Sequence, residues 1–127
     1  NSDEWLEKSK TNRIYHEISH YISRKLFIEN KEVLRDEIVA DAIGFIAAFG
    51  YYDSLLARKV LGIDNEKFNR DGRLINYVSE EELDIYIDRA HKIIDTLDDY
   101  FKFRNLGDIF NVLLDIERTK VAIWKID

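Results

Sequence analysis

No proline interrupts this chain, and over most of its length apolar residues recur at spacings of three and four, the period of a helix face and not of a strand. That pattern confines the chain to helical architectures. We read it as all-α, a compact bundle of four to five helices. The 127 residues suffice for one domain with a continuous core, and no internal repeat, low-complexity tract or linker divides them. Because the sequence opens on Asn1 and not on methionine, it is expected to be the C-terminal part of a longer chain.

The absence of cysteine removes disulfides, thiolate zinc fingers, iron–sulfur clusters and cysteine nucleophiles together. Any metal must therefore be held by nitrogen and oxygen. A formal net charge of -6 and a pI near 5.1 speak against a nucleic-acid partner, since phosphate binding concentrates Lys and Arg on one face. No apolar run is long enough to span a bilayer, and NSDEWLEKSK has neither the basic start nor the apolar stretch of a signal peptide. A soluble, cytoplasmic domain is expected.

The first helix is predicted from about Glu4 or Lys10 to Glu29, with Ile14, Ile18, Tyr21, Ile22 and Leu26 as its core stripe and Asn30 ending it. A second, from Lys31 to Phe49, is apolar almost all round, hence central, and stops at Gly50. A third runs from a capping Asp53 to Leu61, before Gly62. The connection from Ile63 to Val78, with its Asp71-Gly72 turn, is long for a small domain and of the kind that borders sites. Ser79 with Glu82 matches a capping box for a fourth helix reaching Phe103 through Ile85, Ile94, Leu97 and Tyr100. After Gly107, a last helix from Asp108 to Trp124 aligns Ile109, Leu113, Ile116 and Ile123.

The string HEISH, His16 to His20, sets two imidazoles one helical turn apart, where they share a face and can grip one ion. Glu17 then stands beside that ion, where a carboxylate can take a proton from a metal-bound water. The plainer alternative is two surface histidines flanking a glutamate. Helical geometry, however, turns His16 and His20 away from the Ile14 and Ile18 stripe, toward the side of Ser23 and Phe27. On the second helix Glu37 and Asp41 are again four apart, followed on the same stripe by the small Gly44 and Ala48. Asp41 is the one charged residue from Ile38 to Tyr52, and a carboxylate there is costly to bury without a cation or hydrogen-bond donors. Glu37 fits a third metal ligand, and Asp41 a support accepting the outer N–H of a ligand histidine. The alternative for the pair is a capping or surface carboxylate for Glu37 and, for Asp41, a core salt bridge to Arg13, Arg24 or Arg73.

HEISH followed by EIVAD resembles the HExxH and ExxAD signature of gluzincin-type zinc metallopeptidases, over about Arg13 to Gly44. The resemblance implies His16, His20 and Glu37 as zinc ligands, Glu17 as general base and Asp41 as support for a histidine, with the HExxH helix packed against the ExxAD helix. It also implies an edge strand to hold an extended peptide. No strand is legible, so a small sheet is expected upstream of Asn1, or the substrate is bound differently, or the site no longer cleaves peptides.

For the donor that stabilises a developing oxyanion, the candidates are His91, on a stripe with Ile87 and Ile94, and Arg73 and Tyr77 in the long connection. Each has a structural alternative: a satisfied core histidine, a loop arginine and a packing tyrosine. Tyr51 and Tyr52 are read as a bundle cap, and Phe101, Phe103 and Trp124 as core. The acidic runs Glu80 to Asp84 and Asp95 to Asp99 read as helix-start charges and a solvated face, without EF-hand spacing. No phosphate loop or dinucleotide fingerprint occurs. The expected function is a zinc-dependent hydrolase acting on a peptide or protein, another divalent ion being possible. The alternative is a non-catalytic helical module with a structural or vestigial metal. A di-iron bundle would require a second E-x-x-H set, which the sequence lacks.

Overall fold

Glycine and aspartate set several helix ends in the way their chemistry favours. Gly50 and Gly62 take φ of 85° and 87°, a left-handed conformation that costs other residues a Cβ clash. Gly62 N–H closes onto the carbonyls of Arg58 and Lys59, and at the other end of that helix the Asp53 carboxylate accepts from Leu56 N–H at 2.9 Å. A computed structural model describes residues 2–26, 33–102 and 107–123. It contains α1 (Ser2–Leu26), α2 (Val33–Phe49), α3 (Ser54–Leu61), α4 (Leu83–Lys102) and α5 (Ile109–Ile123), with short 3-10 turns at Arg73–Asn76 and Glu80–Glu82. Among the described residues there is no strand, and no helix is long and apolar enough to cross a membrane. The fold is an all-α bundle.

The central helix is α2, which touches each of the other four helices. Its near-uniform apolarity follows from that position, with Leu34, Ile38, Val39, Ile43 and Phe45 buried alongside Ile93, Ile94 and Leu97 of α4 and Leu113 and Ile116 of α5. Each such side chain contributes roughly 1.5–3 kcal/mol over an exposed one. Leu74, from the 3-10 turn after α3, is fully buried in the same cluster. The long connection is thereby fastened to the core.

The docking face of α1 differs from the apolar stripe read from its sequence. Ile14 and Tyr21 are 55% and 63% exposed, whereas Ser19, His20 and Ser23 are buried. Tyr15 and Ile22 pack at the edge of the core. The seam against α2 is thus built from small and polar side chains, and the close fit explains why. A Cβ at Gly44 would overlap Asn12 Oδ1 and stand 2.8 Å from the Asn12 carbonyl oxygen, so the two backbones meet at a separation that the isoleucine face would not permit.

Other boundaries also shift. Ser79 makes no side-chain cap, and a 3-10 turn precedes α4, which begins at Leu83 and not at Ser79. Ile85 is exposed, while Ile94, Leu97 and Tyr100 are buried as expected. Tyr52 packs on Phe45 and Phe101, but Tyr51 is exposed. The predicted ends Glu29 and Lys31, together with Asn30, Phe27, Phe103 and Trp124, lie outside the described residues.

Candidate metal centre

Residues 16 and 20 of α1 share the face that meets α2, so both imidazoles project across the seam toward the carboxylates at positions 37 and 41 of α2. The ligand-capable atoms of His16, His20 and Glu37 form a tight group. His16 Nε2 lies 3.2 Å from His20 Nε2 and 3.3 Å from Glu37 Oε2, and His20 Nε2 lies 2.9 Å from Glu37 Oε1. A tetrahedral zinc ion with bonds of about 2.0–2.1 Å keeps its ligand atoms about 3.3 Å apart. The two imidazoles meet different oxygens of the Glu37 carboxylate, and with one atom taken from each residue the group lies within 4.8 Å, a cluster that could hold one ion.

The proton inventory points the same way. His16 Nδ1 faces Asp41 Oδ1 at 2.9 Å, and since a carboxylate accepts only, the Nδ1 proton belongs there. In the neutral ring Nε2 then presents a lone pair to Glu37 Oε2, which is also a lone-pair atom. Something positive must lie between them. In the metal-free protein it is a proton: burial pushes the His16 pKa down, but hydrogen bonds to Asp41 and Glu37 outweigh it and carry the pKa up to about 9. Burial likewise pushes Glu37 up, and the hydrogen bonds from His16 and His20 overcome that and hold its carboxyl well below the usual range. A divalent cation meets the same electrostatic demand, and the donor set of two nitrogens and one carboxylate suits zinc.

The 3-10 turn after α3 braces both carboxylates. Arg73 Nη2 reaches Asp41 Oδ1 at 3.3 Å, and the Tyr77 hydroxyl donates to Glu37 Oε2 at 3.3 Å. Burial and the Glu37 charge raise the Tyr77 pKa, which keeps the phenol a donor. The geometry depends on Gly72, because a Cβ there would fall on the backbone of Gly62. The salt bridge weighed for Asp41 therefore exists, to Arg73, and it coexists with the bond to His16 instead of replacing it.

Two openings of ≈ 240 Å³ each flank the group. One is lined by His20, Arg24, Val33 and Glu37 among others. The other is lined by His16, Glu17, Arg13, Asp41 and Arg73, and Glu17 itself is exposed there. His91 belongs elsewhere. Its Nδ1 accepts from Arg58 Nε at 3.0 Å, and the same guanidinium holds Asp95 at 2.6 Å, which ties α3 to α4. Burial and the Arg58 charge lower its pKa, consistent with a neutral acceptor, so the reading of His91 as an oxyanion donor gives way to the structural one.

Sequence reasoning missed Asn12, whose contact with Gly44 sets the helix separation, and Arg13 as part of the Glu17 opening. The heptad-like series Asn12, His16, Ser19 and Ser23 was the available signal. A protein-family model, that of a family of unknown function (DUF7005), matches residues 1–111. Neither a curated protein nor a solved structure matches the chain.

Proposed function

The chain belongs to the DUF7005 family, and from that premise, with the α1–α2 site in view, we propose that it is a zinc-dependent, metallopeptidase-like hydrolase. The observation that carries this reading is the cluster of His16, His20 and Glu37, in which each imidazole Nε2 lies 2.9–3.3 Å from a Glu37 carboxylate oxygen, with Glu17 lining the adjoining opening. The resemblance of HEISH and EIVAD to the gluzincin signature supports it. His16, His20 and Glu37 would hold the ion, and Asp41 would fix the His16 ring through Nδ1. The chemistry supplied by bound zinc is that of a Lewis acid, acidifying water and polarising a carbonyl.

The remaining work falls to the chain's own groups. Glu17 accepts the proton of the attacking water as the C–O bond forms, then delivers it to the leaving nitrogen as the C–N bond breaks. Tyr77, kept protonated next to Glu37, is the hydroxyl donor assigned to the developing oxyanion. Arg73 holds Asp41 in place at the same Oδ1 that accepts from His16.

A second reading is a metal clip without turnover. It draws on two observations: every ligand lies on α1 or α2, and no strand among the described residues offers an edge for an extended peptide. Metal analysis after dialysis, followed by hydrolysis assays on an unfolded protein such as casein, separates the two. For a hydrolase, the parent holds one zinc per chain and cleaves, Glu17→Gln keeps zinc and loses turnover, and His16→Ala loses both. Stoichiometric zinc with no zinc-dependent cleavage by the parent favours the clip, and absence of stoichiometric metal defeats both readings.

A further inference from the structure

The two openings beside the triad differ in charge. Arg13 of α1 and Arg73 of the 3-10 turn both line the opening shared by His16 and Glu17, although the chain as a whole is acidic. The carboxylate of Asp41 is only 7% exposed, and its Oδ1 already accepts from His16 and Arg73. Asp41 thus offers little negative charge to a ligand, which leaves Glu17 as the exposed carboxylate facing the two arginines. Arg73 uses one nitrogen on Asp41 while its side chain remains 45% exposed, and a guanidinium carries five donors, so most of its donor capacity stays available. Arg13 is exposed. Across the triad, the other opening sets Arg24 against both Asp36 and Glu37, a balance that does not favour an anion.

Resting on the hydrolase reading, we propose that the substrate carries an anionic group, a carboxylate or a phosphate, which Arg13 and Arg73 bind at the Glu17 opening. Planar N–H pairs match either oxyanion in bidentate fashion. An ion at the triad would add the same charge to both openings, so the contrast lies in the side chains, Arg13 and Arg73 with Glu17 and the buried Asp41 on one side and Arg24 with Asp36 and Glu37 on the other. The docked anion holds the neighbouring scissile bond next to Glu17. Arg13 selects, while Arg73 both selects and braces Asp41.

Arg13→Gln is the informative variant because Arg13 lies outside the ligand set and its bracing carboxylates. Arg24→Gln removes the same charge at the opposite opening. Zinc content is measured first, and each zinc-loaded protein is then titrated calorimetrically with succinate and, separately, with inorganic phosphate. Loss of one charge-assisted contact weakens binding about tenfold, so that loss is expected for Arg13→Gln at unchanged zinc content, with Arg24→Gln close to the parent. Stronger binding of succinate assigns the anion as a carboxylate, and stronger binding of phosphate assigns a phosphoryl group. The proposal is overturned if a zinc-loaded parent binds neither anion, or if both variants weaken binding equally. A parent that holds no zinc defeats the metal reading and this proposal with it, a result told apart by the metal analysis alone.

Discussion

At the scale of single residues, Asp41 orients one of the two histidines. Its Oδ1 fixes the His16 ring at 2.9 Å through Nδ1, the nitrogen turned away from Glu37. Outer partners of this kind typically change metal affinity by about 10–100-fold. Asp41→Asn is accordingly expected to weaken zinc binding within that range, read by competition with a chromophoric chelator, while the far-ultraviolet circular dichroism stays helical. Unchanged affinity would mean that His16 is oriented by packing alone. The protonation states give a second expectation for the metal-free protein. His16 is raised from 6.5 to about 9, so its pairing stabilises the fold fully below pH 6.5 and fades as pH rises through about 9. Glu37 is held below its ordinary 4.5, so its contribution is present above pH 4.5 and fades as pH falls. With chelator present, the melting temperature should be highest between those ordinary values and decline toward pH 9. A flat profile from pH 6.5 to 9 would remove the charged His16 from the account.

At the scale of elements, the site is a property of one helix pair. Both histidines ride on α1 and the carboxylates on α2, and the spacing of the pair is set where Asn12 crosses Gly44. Gly44→Ala forces the backbones apart, because one of the overlapping atoms belongs to the Asn12 main chain and has no rotamer by which to escape. Overpacking of this kind costs about 1–3 kcal/mol. The expected result is a lower melting temperature together with weaker zinc binding, since widening the seam carries His16 and His20 away from Glu37. Loss of stability with zinc affinity intact would show that the histidines follow α2 independently of that crossing. The apolar pattern of α1 was misleading about this seam. Ile14 and Tyr21 repeat at a helical spacing, but α2 presents small residues and two carboxylates, and only a polar, small-residue face can meet both demands.

At the scale of the whole molecule, α1 joins the bundle chiefly along α2, while α2 carries the shared core with α3, α4 and α5. An ion across the α1–α2 seam would therefore couple the stability of α1 to metal supply. Saturation at a hundredfold over the dissociation constant stabilises by about 2.7 kcal/mol. Zinc should raise the melting temperature of the parent and not that of His20→Ala, and chelation should release amide protection in α1 before α4. Uniform loss of protection across the bundle would contradict that order. The helices themselves were legible without coordinates: three- and four-residue spacing, the missing proline, Asp53, Gly50 and Gly62 specify local backbone states through sterics and hydrogen bonds with near neighbours. Two histidines on one helix face, and Glu37 with Asp41 on another, were equally legible, because i to i+4 geometry is local. Which face of α1 docks, that Ser79 caps nothing, that His91 is held by Arg58, and that Arg73 and Tyr77 brace Asp41 and Glu37 were decided by the tertiary structure alone. Those outcomes depend on which distant surfaces satisfy one another's volume, charge and hydrogen bonds, and residue spacing along one chain carries no record of that match.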